Sequence, residues 1–405
     1  LSGPLGIRTA REQDLDRLIE IHSSAFPDPR GFEARGRLLR NNSLGSLDHL
    51  YVAERGGRVL AHAFLFALQG WFGGRRVNFG GIASVGVAPE ARGDAVARAL
   101  LDELHLRANE RGDALTLLYP FRQGFYERSG YVAVSPTRLL TLHPRSIPES
   151  WANPSHAPGT LRAATGSDRA GIIAVYETVA RKRTGWIVRP ERLWESRLVD
   201  ERRRWFVLDQ GGRVAGYVCW TLRQQEPHAE IRLDVGDLVA SDEAARRRLL
   251  ALVGAQRDQV AEVTLEVGDD DPIDRALVDM DSARHGSERV EHAIGTIAGG
   301  PMVRLADDTR AIEARGYGSD GTLDLAVDGG LPKSLEIREG AAKVGPPRGG
   351  PIVHADRRAL AAMLYGGLTA SDAARLGWLT ADNSRTLRLA DDLFAQAPFF
   401  ALDMF

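Results

Sequence analysis

The sequence predicts an α/β protein of mixed sheets, in which two copies of one strand–helix unit are followed by a smaller α+β domain. Three observations predict it. A pattern near the start of the chain returns about 155 residues later. Proline- and glycine-rich breaks fall after each copy. The segment beyond the second break repeats neither copy and alternates strands with helices.

Taken in order, Ile7-Arg8-Thr9-Ala10 and Asp14 are echoed by Leu161-Arg162-Ala163-Ala164 and Asp168. In each copy the aspartate opens a predicted helix, where its carboxylate is expected to cap free N–H groups. Tyr51–Val59 then returns as Phe206–Val214, and both read as strand, turn, strand. The turns carry Gly56-Gly57 and Gly211-Gly212, which accept the positive φ a tight hairpin needs. The common order is strand, helix, hairpin, strand, helix. Residues 142–159, with Pro144, Pro148, Pro154 and Pro158, read as a linker, and Gly299-Gly300-Pro301 as a second break. The expected domains are therefore 1–145, 160–298 and 299–405. In the last, strands are expected at 321–327 and 333–338, a Gly/Pro-rich loop at 345–351, and helices at 357–365 and 370–376. The run Arg202-Arg203-Arg204 reads as the solvated face of a helix.

Composition narrows the function classes. With 405 residues, 43% hydrophobic and 26% charged, the chain is globular and too long for one core. A net charge of −2 supplies no field for nucleic acid or an anionic membrane. Cys219 is the only cysteine, so neither an internal disulfide nor a cysteine-based zinc site is expected, and no metal is called for. The longest apolar stretch, Ala61–Leu68, is strand-sized, well short of the ~20 residues of a membrane span. No signal peptide is read at the start, and the expected location is the cytoplasm.

Ala83–Ala97 is the segment that bears on chemistry. Val85 and Val87 suit a strand, and Pro89 ends its ladder. A helix follows with Ala97, Leu100, Leu101, Leu104 and Ala108 on one face. Gly93, Ala95 and Ala97 keep its N-terminus open, and its free N–H groups, positive dipole end and Arg92 suit an anion such as a pyrophosphate. This pattern alone is equally that of a plain strand–helix connection. Further on, Gly124-Phe125-Tyr126-Glu127-Arg128-Ser129-Gly130-Tyr131 forms an aromatic turn leading into a strand. Tyr126 taken singly is more often core packing than a catalytic acid.

Together these two segments resemble the GNAT acetyltransferases, whose acetyl-CoA signature is Arg/Gln-x-x-Gly-x-Gly/Ala after a strand, followed by a tyrosine turn. Ala95 departs from it, standing where the signature has its first glycine. Over the whole chain the sequence resembles the Eis-like ("enhanced intracellular survival") acetyltransferases, which have two GNAT domains and a C-terminal domain similar to sterol carrier proteins. Ala311–Tyr317 and the aromatic end Phe399–Phe405 support this.

The resemblance implies acetyl-CoA as co-substrate, held by Val85, Gly86, Val87, Arg92, Gly93, Asp94, Ala95, Val96, Ala97 and Gly124. No His or Glu in the first copy's motifs is an obvious base; the resemblance implies that the α-carboxylate of Phe405 deprotonates the amine, with a water. A tail of buried-type residues also reads simply as packing against a neighbouring domain. The Val85 N–H is the expected donor to the thioester oxygen, and Tyr126 the expected acid at the departing thiolate, by direct transfer in a ternary complex. Phe26, Asp28, Ser84 and Asp403 are expected at the substrate; Asp28 also suits a turn between Pro27 and Pro29. The implied substrates are cationic, aminoglycoside-like amines, and the implied assembly is a homo-hexamer. Competing readings are a protein lysine or N-terminal acetyltransferase and a non-catalytic acyl-CoA or lipid binder. The second copy, with no glycine in Asp237–Arg248 and with Asp242 and Glu243 at the helix start, reads as a degenerate packing domain.

Overall fold

The computed structural model describes residues 3–27, 31–155, 157–226, 229–278 and 294–405. The chain begins with β1 (Gly6–Thr9), α1 (Leu15–Ala25), α2 (Phe32–Arg40), β2 (Leu50–Arg55), β3 (Arg58–Phe72), β4 (Arg75–Val87), α3 (Val96–Glu110), β5 (Leu115–Leu118), α4 (Gln123–Glu127) and β6 (Val132–Ala133). There follow β7 (Thr137–Leu142), β8 (Thr160–Ala163), α5 (Arg169–Ala180), α6 (Glu191–Leu198), β9 (Arg203–Gln210), β10 (Arg213–Arg223), β11 (Ile231–Ala240), α7 (Glu243–Gly254), β12 (Val260–Val267) and β13 (Gly295–Ala298). The last stretch holds β14 (Met302–Leu305), α8 (Asp308–Ala314), β15 (Gly321–Val327), β16 (Lys333–Arg338), β17 (Ala341–Gly345), β18 (Ile352–Ala355), α9 (Arg357–Tyr365), α10 (Ala370–Arg375), β19 (Leu379–Ala381) and α11 (Ser384–Phe394).

The repeat is a repeat of structure. Arg8 holds Asp14 at 2.6 Å and Glu54 at 2.7 Å; Arg162 holds Asp168 at 2.7 Å and Asp209 at 2.8 Å. Each aspartate accepts the N–H three residues upstream, from Arg11 or Thr165, at 2.7 Å. It thus closes the turn into the helix and does not cap the helix amides, as the sequence reading had it. The paired guanidinium holds each carboxyl below its usual range. Both hairpins turn on their glycine pairs, with φ of 57° and 78° in one and 66° and 87° in the other.

Strand order in the first sheet is β1-β2-β3-β4-β5-β14-β6, and in the second β13-β7-β12-β11-β10-β9-β8. Neither sheet keeps to the expected boundaries. Residues 137–142, expected in the first unit, pair with β12 as part of the second sheet. Residues 302–305, expected in the third, sit between β5 and β6 of the first. Strand pairing is a long-range choice, and a Gly/Pro break marks only where the chain can turn, not which sheet it rejoins. The third sheet, β17-β16-β15-β18-β19, carries the strands and helices read at 321–327, 333–338, 357–365 and the start of 370–376. Arg203 and Arg204 open β9 instead of lying on a helix.

The first and third sheets share one continuous core; Phe72 meets Tyr365 edge-on at 4.9 Å. A separate aromatic cluster, containing Trp71, Tyr176, Trp186 and Trp194, joins the end of β3 to the second sheet. There the backbone bonds Trp71 N–H to Trp186 O and Val188 N–H to Gln69 O, both 2.8 Å, extend the contact. Among the described residues no helix is long and apolar enough to cross a membrane.

Candidate active site

Two parallel neighbours, β4 and β5, pair only over Phe79–Gly81 and Leu115–Leu117, after which β4 runs on to Val87 without β5. On its other side, the register with β3 shifts between the pairs Phe64–Ala83 and His62–Gly86. Ser84 and Val85 form that bulge, and Ser84 takes a left-handed φ of 50°. His62 is fully buried against it: a Cβ on Gly86 would lie 2.7 Å from the His62 Nε2, so only glycine fits there. Burial and neighbouring His22 push the His62 imidazole down to about 3.

Past Val87 the chain turns through Gly93 at φ +93° and Ala95 at φ +56° into α3. Ala95 is the N-cap and offers no side-chain hydrogen bond, so the first amides of α3 keep their donors free. They face a cavity of about 900 Å³ lined by Val85, Val87, Arg92, Gly93, Ala95, Val96 and Ala97. Ser24–Pro27 close one side, and Phe121, Phe125, Arg128 and Ser129 another. Arg92 also donates to Ser24 O at 3.3 Å, tying the turn to the end of α1.

Tyr126 lies just behind this wall, 2% exposed, with Phe121 and Phe125 edge-on at 5.7 and 5.0 Å. Burial raises its phenol above the usual range, so it keeps its proton. Its neighbour Tyr131 is tied into the core through Thr116 at 2.8 Å and His105 at 2.9 Å.

The C-terminal tail runs from the second unit's cleft to β4 of the first sheet. Phe405 lies on β4: its ring would be 2.9 Å from a Cβ at Gly81, and it sits between Phe79 (6.1 Å) and Tyr119 (5.6 Å). Asp403, expected at the substrate, is held in a buried ion-pair cluster. It is 5% exposed, and its two oxygens are taken by Arg189 at 2.8 Å and Arg197 at 2.9 Å. Burial and the two guanidiniums leave this carboxylate facing its own ion pairs.

The corresponding cleft of the second unit is built differently. β11 and β12 pair from Ile231–Val260 to Val235–Leu265 and then part. α7 begins at Asp242, whose carboxylate accepts from Ala245 N at 2.8 Å. The cleft, about 260 Å³, is lined by Val235, Gly236, Leu265 and Gly268 and by Phe400 and Leu402 of the tail.

Of the residues singled out in the sequence, Val85, Val87, Arg92, Gly93, Ala95, Val96, Ala97 and Phe26 line the large cavity together. Gly86 lies beneath His62, Ser84 in the bulge beside it, Asp94 and Gly124 are exposed outside the lining, and Asp28 falls outside the described residues. Arg128, Phe121 and Phe125 were not foreseen as lining residues. Phe125 and Arg128 within the quoted tyrosine turn, and Phe121 just before it, were the available signal. Arg189, Arg197 and Asp237 had no signal, because their pairing joins segments distant in the chain.

Comparison with known proteins follows the same division. Residues 6–134 and 185–305 each match an acetyltransferase (GNAT) domain family, and 309–401 a sterol carrier protein domain family. N-acetyltransferase Eis of Mycobacterium tuberculosis and of Mycobacterium bovis are each 26% identical over 336 residues, covering 78% of this chain and 77% of theirs. A GCN5-related N-acetyltransferase from Anabaena variabilis superposes with a TM-score of 0.84 at 22% identity, over 99% of this chain and 100% of that one. Eis1 from Mycobacterium abscessus does so with a TM-score of 0.75 at 20% identity, with the same coverage. GNAT domains use acetyl-CoA, and a 900 Å³ cavity ending on free helix amides fits its bulk and its pyrophosphate.

Proposed function

We propose a function that starts from the family, since the chain belongs to the Eis-like GNAT N-acetyltransferases. The first unit transfers an acetyl group from acetyl-CoA directly to an amine of a cationic small molecule, in a ternary complex. The observation that carries this is the joining of two features on β4: the cavity at the α3 N-terminus, and the chain terminus lying at Gly81.

Acetyl-CoA supplies a thioester, a carbonyl already activated for attack by an amine. The amides at the start of α3, with Arg92 and Arg128 nearby, would hold its phosphates. The Val85 N–H, at the β4 bulge, would donate to the carbonyl oxygen as negative charge grows there. An ammonium with a pKa near ~10 must first give up a proton, and the Phe405 carboxylate is the group assigned to accept it. Tyr126, kept protonated by burial, would deliver a proton to the departing sulfur. Glu266 lines the neighbouring cleft without an ion-pair partner among the described residues, which leaves a carboxylate for a cationic substrate. The second unit's self-capped helix start gives no equivalent place for a phosphate, so it is read as non-catalytic. Assembly as a hexamer rests on the family resemblance alone, and a cytoplasmic location stays the expectation read from the sequence.

Thiol release from acetyl-CoA across aminoglycosides, polyamines and lysine peptides tests the substrate class, with small polyamines and aminoglycosides expected to outpace peptides. Adding one residue after Phe405 tests the base. Acetyl-CoA should still bind, one per chain, while turnover falls by ~10²–10⁴. Wild-type turnover in the extended protein would remove Phe405 from the mechanism.

A further inference from the structure

An extended chain end frays unless something holds it, and this one is held at only a few points. Phe399 N–H donates to Ser135 Oγ at 3.1 Å and to Gly366 O at 3.2 Å, and Phe400 N–H to Thr184 O at 3.0 Å. The Phe399 ring covers Gly185, where an added Cβ would stand 2.4 Å from it. Beyond Phe400 the attachment passes to side chains. Phe400 and Leu402 enter the gap where β11 and β12 part, the place in this unit that corresponds to the cofactor cavity of the first.

Asp403 then meets a four-charge cluster. Arg189 binds Asp237 through two nitrogens, at 2.6 and 3.1 Å, and Asp403 through Nε at 2.8 Å. Arg197 bonds both carboxylates, Asp403 at 2.9 Å and Asp237 as well. Tyr217 donates to Asp237 at 3.1 Å, Tyr176 lies 3.4 Å from Asp403, and the Arg189 guanidinium stacks over the Tyr176 ring at 4.2 Å. The Arg189 and Asp237 side chains are 0% exposed. Such a cluster is poor evidence for stability, since desolvation offsets much of its Coulombic gain; its best-attested use is to define register. Here the register concerns a residue two places from the chain end. With Tyr119 donating to Asp403 O at 3.2 Å and meeting Phe405 edge-on, it leaves the last residue little freedom to slide.

We propose that the second unit's cofactor-like cleft has become the receptor for this chain's own C-terminal segment: Phe400 and Leu402 pack along its wall, and Arg189, Arg197 and Asp237 are positioning residues that hold Asp403 so that the Phe405 carboxylate is presented beside β4. This rests on the reading of that carboxylate as the base. It also explains why a second GNAT domain without an open helix start is kept: its parted strands still bind a ligand, and that ligand is covalently part of the enzyme.

The test is native-state trimming of Phe405 by carboxypeptidase A, which removes a C-terminal aromatic residue only when it is free. The wild-type full-length chain should be trimmed slowly. Asp403→Asn, which leaves the terminal carboxylate chemically intact, should speed trimming at least ~10-fold. Its kcat should fall with the KM for acetyl-CoA unchanged. Leu402→Ala keeps every charge, tolerates the loss of one half-buried side chain, and should speed trimming ~3-fold. Trimming at the wild-type rate in both variants would overturn the proposal, whatever their thermal stability. The two readings fail separately. Full turnover in the C-terminally extended enzyme would defeat the base, whereas unchanged trimming would defeat the receptor.

Discussion

In the first unit α3 starts at Ala95, a left-handed residue with no capping side chain, and in the second α7 starts at Asp242, whose carboxylate occupies the amide of Ala245. Both units reach this point by the same route, through an Arg–Asp-closed helix, a glycine-paired hairpin and a strand that parts from a parallel neighbour. One helix end therefore offers its donors to a ligand and the other satisfies its own. The first gap becomes a 900 Å³ cavity; the second shrinks to 260 Å³ with the chain's tail along its wall. The duplicated scaffold is the same physical object twice. The two copies differ at one helix terminus and in what lines the gap beside it.

The largest expected effect is chemical. Tyr126 has no counterpart in the second unit, so Tyr126→Phe should lower turnover by ~10²–10⁴ while acetyl-CoA affinity and melting temperature hardly move, because its aromatic packing is kept. A rate within twofold of wild type would take the tyrosine out of the site.

Acid stability is the next difference. His62 and His105, both in the first unit, are held neutral in the fold, pushed down to about 3; burial is the main cause, with His22 acting on His62 and Arg304 on His105. Their unfolded pKa is near 6.5, so between pH 6.5 and 3 the unfolded chain binds protons that the folded chain refuses. Stability attributable to them is therefore intact above pH 6.5 and falls as pH drops, by about 3 kcal/mol per imidazole at pH 4. Hydrogen exchange should show β3 and β4 losing protection before β9–β11 on acidification. Simultaneous loss would place the acid sensitivity elsewhere.

Ala95→Asp would give the first unit the charge found in the second. Aspartate tolerates the left-handed backbone, and acetyl-CoA binding measured by calorimetry should weaken ~10-fold, about 1.4 kcal/mol. The reciprocal change is the smallest: Asp242→Ala uncaps α7 and should cost about 1 kcal/mol of stability. Binding stoichiometry should stay at one acetyl-CoA per chain, since Phe400 and Leu402 of the tail still narrow that cleft. A second binding event in Asp242→Ala would show that one carboxylate alone had silenced the second unit.

Local patterns carried much of this molecule in its sequence. The repeat was legible because hairpin turns and helix entries depend on neighbouring residues: paired glycines for positive φ, and an arginine and an aspartate six residues apart for the closed turn. The open helix start was legible for the same reason, as small residues in a row after a strand. Tertiary structure alone decided the rest. It carried residues 137–142 and 302–305 into sheets other than those their positions suggested, placed the Phe405 ring on Gly81, and made Asp403, expected at the substrate, the partner of Arg189 and Arg197. Each of these joins segments far apart in the chain, where partners are chosen by burial and charge in three dimensions and leave no spacing to read.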